Sequence, residues 1–193
     1  MKKLLITGFD PFGGETINPA WEAVKQLPDT LGEYVLCKLE IPTVFGLAAR
    51  TVLEEAGKLQ PDVILCIGQA GGRAAVTPER IGVNLRDASI PDNAGNQPRE
   101  MPIVPGGPDG IFSTVPVSAM AEAIREAGLP GAVSGTAGCF VCNDTLYTLL
   151  HHYANTDVKV GFVHVPYLPQ QGEPSLPLED TVKALTAAIC ALP

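Results

Sequence analysis

Between Asp62 and Gly68 the chain reads VILCI, an apolar run with no polar interruption. A strand with one wet face alternates polar and apolar residues, so a run like this requires a central, parallel strand covered on both faces. The rest of the chain must then supply helices for two sides of a sheet. Apolar runs at Lys3–Thr7, Tyr34–Ile41 and Lys159–Val165 read as further strands. Helical spacing falls between them. One predicted helix has Asn18 as N-cap and Pro19 in its first turn and runs to about Leu27. Others cover Thr43–Leu59 (Val44, Ala48 and Val52 on one face), Val117–Glu126, the stretch after Cys142, and about Pro177 to Cys190. Strands alternating with helices predict an α/β fold with a mostly parallel, twisted sheet. At 193 residues, one core and hence a single domain over residues 1–193 is expected.

Four segments break the alternation. Gly8–Trp21, GFDPFGGETINPAW, sets Phe9 and Phe12 in a Gly- and Pro-rich loop, where the rings either cover a ligand or plug the loop onto the core. Glu79–Leu85 alternates and reads as a half-buried strand toward a sheet edge. Asp87–Gly110 has almost no apolar periodicity and is expected to be a mobile lid or binding loop. Ala132–Ser134 reads as a short strand before VSGTAGCFVCNDTLY, which carries a cysteine to a helix start.

In such sheets ligands bind outside the carboxyl ends of the strands. Phe9, Phe12, Gln69, Cys142 and His164 each follow or close a predicted strand, so the topology gathers them on one rim. Glu79 opens a strand and reaches that rim only if its strand runs against the others. At a helix start, unpaired N–H groups and the macrodipole favour a thiolate and can hold an oxyanion, which is what a cysteine nucleophile needs. A small buried cysteine closing a strand is the alternative. Of three histidines, His151 and His152 lie about 13 to 15 Å along the helix from Cys142, too far to reach back. His164 is the candidate base.

A formal net charge of −8 and no basic stripe argue against nucleic acid and anionic membranes as partners. The opening MKKLLIT is too short for a signal h-region, and no stretch is long enough to span a bilayer. Five cysteines, three in apolar segments, suit the cytoplasm.

The motifs GFDPFGGETINPAWEAV, IGQAGGRAAVTPERIGVNL, IPDNAGNQP, TAGCFVCN and HVPYLPQQ together resemble the pyroglutamyl peptidase I family, cysteine peptidases that remove an N-terminal pyroglutamate. The resemblance implies a three-layer α/β/α sandwich, commonly tetrameric, metal-free and cytosolic, that needs no cofactor and acts on peptides with N-terminal pyroglutamate. By the same resemblance Cys142 is the nucleophile, His164 the general base and acid, and Glu79 the carboxylate that orients the imidazole. Phe9, Phe12 and Phe140 wall the lactam ring, and Gln69 is an amide near thiol and substrate. The chain departs from the family at three places. Ser89 replaces an arginine associated with oxyanion support, with Arg86 expected on the opposite face of an extended segment; backbone N–H groups at Cys142 are expected to carry more of that work, or loop movement to supply another donor. Asp144 replaces a histidine, and its charge is expected to oppose thiolate formation. Cys139 replaces a threonine and creates a C-x-x-C pair with Cys142, which gives thiol–disulfide oxidoreductase as the alternative function.

Overall fold

A computed structural model describes residues 1–193. Its main sheet has six strands, here named in chain order: β1 (Lys2–Phe9), β2 (Thr30–Leu31), β3 (Tyr34–Ile41), β4 (Val63–Gln69), β5 (Thr77–Pro78) and, later in the chain, β8 (Lys159–Val165). They lie in the order β2-β3-β1-β4-β8-β5. The pairs β1–β3, β1–β4 and β4–β8 are parallel, whereas β2 and β5 run antiparallel on the two edges. The apolar run of β4 is central, as expected, with β1 and β8 beside it.

Five helices flank the sheet: α1 (Pro19–Gln26), α2 (Leu47–Leu59), α3 (Val117–Glu126), α4 (Val141–His152) and α5 (Leu178–Cys190). Helix α1 starts as the sequence predicts, with the Asn18 side chain accepting from Ala20 N at 3.0 Å and Pro19 in the first turn. One face of the sheet packs on α1, α3 and α5, joining Leu4, Ile6, Leu65, Val163 and Val165 to Met120, Leu185 and Ile189. The other face packs on α2 and α4, joining Leu5, Ile64, Cys66 and Phe162 to Val52, Val141 and Leu149. Alternate residues of β4 therefore serve two cores, which explains why it has no polar position. This is the expected α/β/α layering with a mostly parallel sheet. No helix is long and apolar enough to cross a membrane.

Three segments differ from the sequence expectation. Helix α2 begins at Leu47, not Thr43, because Gly46 takes φ +72° and breaks the turn. The strand expected over Glu79–Leu85 shrinks to Ile81–Val83, and Glu79 makes an isolated bridge after β5, which ends at Pro78. β5 joins the main sheet, while β6 (Ile81–Val83) leaves it to pair antiparallel with β7 (Gly110–Phe112). The buried side chain of Asn143 on α4 takes the place of a neighbouring strand for β6: its Oδ1 accepts from Val83 N, and its Nδ2 donates to Val83 O and Leu85 O. Ala132–Ser134 is not a strand; only isolated bridges, Val76 with Gly131 and Glu79 with Ser134, mark it. The Asp87–Gly110 loop is fastened at Asp92, whose carboxylate accepts from the backbone N–H groups of Phe45, Ala94 and Asn96.

Candidate active site

Strands β4 and β8 end side by side, and Gly68 on one is the register partner of His164 on the other. A Cβ at residue 68 would stand 2.9 Å from Cys142 Sγ and 2.7 Å from Phe162 Cζ, so only glycine leaves room for the thiol against the strand. Cys142 is the second residue of α4, whose N-cap, Phe140, makes no side-chain capping bond. The N–H groups before the first intrahelical bond, Asp144 N to Phe140 O, have no intrahelical acceptor, and Cys142's own N–H lies beside its sulfur. The half-buried Cys142 thiol thus lies against the strand end next to the one that carries buried His164.

Glu79 follows the two-residue strand β5 rather than opening a strand as the sequence suggested. Because β5 is antiparallel to β8, Thr77 pairs with His164 and Pro78 with Val163, and Glu79 N donates to Phe162 O at 2.9 Å. The fully buried Glu79 carboxylate then turns back to His164, with Oε1 2.7 Å from Nδ1. An ionised carboxylate only accepts, so Nδ1 carries the ring proton and Nε2 is left as the acceptor. The same Oε1 accepts from Arg73 Nη1 at 2.6 Å. Arg73 is itself held by Thr77 Oγ1 at 2.7 Å and Thr136 O at 2.8 Å. Glu79 Oε2 has no partner. Beside it the Ser134 hydroxyl donates to Thr136 O at 2.9 Å and can rotate toward the carboxylate.

These contacts set the protonation states. Burial pushes Glu79 up, but the bonds from His164 and Arg73 outweigh it and hold the carboxyl below its ordinary value. Burial lowers His164, Glu79 opposes that, and Arg73 adds to it; the net shift is downward, so the ring is neutral near pH 7. Burial, then Glu79 and Cys66, push the Cys142 thiol well above its usual range, with Arg73 opposing. The expectation of a resting thiolate is therefore corrected: burial and the Glu79 charge outweigh the helix terminus, and the pair rests as thiol and neutral imidazole.

Asp144 also differs from expectation. Its carboxylate is fully buried behind the first turn of α4, where Oδ1 accepts from Arg86 Nε at 2.7 Å and Oδ2 from Gly46 N at 2.7 Å. The Arg86 guanidinium neutralises it, and the negative charge that acts on the thiol is that of Glu79. Arg86 is thereby engaged away from the sulfur, and Ser89 is exposed.

The aromatic residues separate into two roles. Phe9 is not in an exposed loop: it ends β1, is buried, and packs on Phe162 at 6.1 Å between ring centroids. Phe12 and Phe140, both half-buried, stand 6.0 Å apart. Phe45 meets Phe140 edge-on at 5.2 Å and completes an apolar trio beside Cys142. Gln69, half-buried, follows Gly68 at the rim, where its Oε1 accepts from Gln171 Nε2 at 2.9 Å. Sequence reasoning missed Arg73, Phe45 and Gln171. The arginine that closes QAGGR and the phenylalanine before Gly46 were visible signals, since each large side chain borders glycines that let the backbone turn.

Comparison with known proteins agrees with this geometry. A family model described as pyroglutamyl peptidase matches residues 2–193. The chain is 55% identical to a pyrrolidone-carboxylate peptidase of Levilactobacillus brevis, covering 98% of this chain and 97% of that one. It is 50% identical to the protein of the same name from Escherichia fergusonii, covering 98% and 92%. The fold matches the crystal structure of Bacillus amyloliquefaciens pyroglutamyl peptidase I with a TM-score of 0.96 at 45% identity, over 100% of this chain and 97% of that one. A pyrrolidone carboxyl peptidase mutant from Pyrococcus furiosus matches with a TM-score of 0.92 at 38% identity, over 97% and 96%. These relatives are peptidases over their whole length, and the oxidoreductase alternative built on Cys139 and Cys142 finds no support among them. With residues 2–193 matched by the family model and the fold shared over the whole chain, the chain belongs to the pyroglutamyl peptidase family.

Proposed function

We propose that this protein is a cysteine exopeptidase that hydrolyses the bond after an N-terminal pyroglutamyl residue, with Cys142 as nucleophile, His164 as base and acid, and Glu79 as its orienting carboxylate. One observation carries the assignment: Cys142 Sγ lies against Gly68, the register partner of His164, whose Nδ1 is 2.7 Å from Glu79 Oε1. Starting from the neutral pair, His164 Nε2 takes the thiol proton as sulfur attacks the scissile carbonyl. The N–H groups opening α4 hold the resulting oxyanion, a contribution of about 10²- to 10³-fold per donor at such sites. The imidazolium, stabilised by Glu79, gives its proton to the leaving amine, which departs and leaves a pyroglutamyl thioester. Water activated by the same nitrogen then releases pyroglutamate and restores the thiol.

Selectivity follows from desolvation. The trio Phe12, Phe45 and Phe140 offers apolar walls, and three carboxylates on or bonded to the segments that carry it are engaged: Asp10 by Thr43 N, Asp92 by Phe45 N, and Asp144 by Arg86. An uncharged lactam loses little on entry, whereas a protonated amino terminus would be stripped of water with no partner. Phe9 packs on Phe162 in the core on the α2–α4 side of the sheet.

The decisive test is release of a reporter arylamine from its pyroglutamyl derivative by wild type, Cys142→Ala and Cys139→Ala. Loss confined to Cys142→Ala is the expected result. Equal loss in both variants would return the chemistry to the cysteine pair. A cytoplasmic homo-oligomer, a tetramer by resemblance to the family, completes the proposal; exposed Phe112, Met101 and Ile90 supply apolar surface for subunit contact, and sedimentation equilibrium reads the state directly.

A further inference from the structure

The Gln69 amide has two possible orientations, one presenting NH2 away from its neighbour and one presenting oxygen, and the hydrogen-bond network decides between them. The decision starts from a backbone group that has only one polarity. Leu168 N–H donates at 3.0 Å to the Gln171 side chain, so the receiving atom is Oε1. Gln171 must then turn its Nε2 the other way. That nitrogen donates to Gln69 at 2.9 Å, so the Gln69 atom facing it is Oε1, and the Gln69 NH2 group points away with no partner in the protein. Gln171 is not free to reverse. Its own N–H donates to Leu168 O at 2.8 Å, closing a tight turn, and its Nε2 lies a longer 3.5 Å from Ile17 O on the loop after β1.

We propose that Gln171 is a positioning residue for specificity: it locks the Gln69 amide so that the rim presents a hydrogen-bond donor to the ring carbonyl of a pyroglutamyl group. This rests on the peptidase assignment above. Pyroglutamyl and prolyl rings have the same size, and the ring carbonyl is the acceptor that the prolyl ring lacks. A donor fixed in advance rewards that carbonyl, and an amide free to flip would spend half its time offering an oxygen to an oxygen. Sites built to hydrogen-bond one substrate group discriminate strongly against its absence or inversion.

The isosteric variant Gln171→Glu separates this role from a merely structural one. One carboxylate oxygen keeps the bond to Leu168 N–H, while the other is now an acceptor and obliges the Gln69 amide to flip. Turnover of a fluorogenic pyroglutamyl arylamide is measured for wild type, Gln171→Glu, Gln171→Met, Gln69→Ala and the double variant Gln171→Glu/Gln69→Ala, with Tm measured for each. The expected kcat/KM of Gln171→Glu is about 10- to 100-fold below wild type, carried by KM, and lower than that of Gln171→Met. In the Gln69→Ala background the Glu substitution is expected to add nothing, which separates amide inversion from an effect of the new charge. A Gln171→Glu enzyme milder than Gln171→Met, or a full additional loss in the double variant at wild-type Tm, would overturn the inference alone. A folded wild type with no activity on the arylamide would overturn it together with the peptidase assignment.

Discussion

Arg73 governs the site without reaching the thiol. By sharing Glu79 Oε1 with His164 Nδ1, it keeps that carboxylate ionised and holds down the pKa of the ring at the same time. Arg73→Ala is therefore expected to move the acid limb of the pH–rate profile to higher pH. At pH 6 kcat/KM should fall about tenfold, and by less at pH 8. A uniform loss at all pH values would show that Arg73 serves packing alone. Gly68 is constrained differently. A methyl group there meets Phe162 and Cys142 Sγ at once, so Gly68→Ala should cost about 1–3 kcal/mol of stability and shift the sulfur. Activity loss well beyond what the fall in Tm accounts for, measured at a temperature where the variant is folded, checks this. The role of neither residue can be read from its sequence neighbours, because it depends on partners from 4 to 96 positions away.

Elements whose hydrophobic pattern is self-sufficient were legible from the residues. β3, α3 and β8 have the bounds that their apolar spacing predicts, Tyr34–Ile41, Val117–Glu126 and Lys159–Val165. The segment after Glu79 was not, since alternation reveals a wet and a dry face but not which neighbour supplies the ladder. Val83 and Leu85 are satisfied by an amide side chain on α4, a partner no periodicity announces. Glu79 was expected to open a strand running against the others; it instead follows such a strand, β5, which ends at Pro78. The position of Asn143 beside Cys142 couples the site to this segment. Asn143→Ala would leave Val83 N–H and Leu85 C=O without partners, Val83 O keeping its bond from Leu85 N, at a cost of about 2 kcal/mol and a fall in Tm of about 4–8 °C. Thermal unfolding followed by circular dichroism tests it, and a change below 2 °C would mean that water replaces the amide at no cost.

Taken whole, the molecule buries ionisable groups whose shifts have opposite signs, and its stability should be a dome in pH. His164 is lowered from 6.5, so the folded state binds fewer protons and loses stability as pH falls below that value. Glu79, lowered from 4.5, adds a second loss below its own ordinary value. On the alkaline side burial raises the Cys66 thiol from 9.0 to about 12, so above pH 9 the unfolded chain releases a proton that the folded one keeps. Urea unfolding across pH 4 to 11 should give a maximum between about 6.5 and 9, with slopes limited to about 1.4 kcal/mol per pH unit for each group. A free energy flat across that range would contradict the assigned shifts. The interior place of β8, with β4 on one side and β5 on the other, has a further effect. Because ladder bonds clamp the imidazole's backbone from both directions, no hinge can carry it away from the sulfur. Such a catalyst works as an anvil: heat or denaturant should silence it at the same midpoint at which the sheet itself dissolves, with no dormant folded form in between.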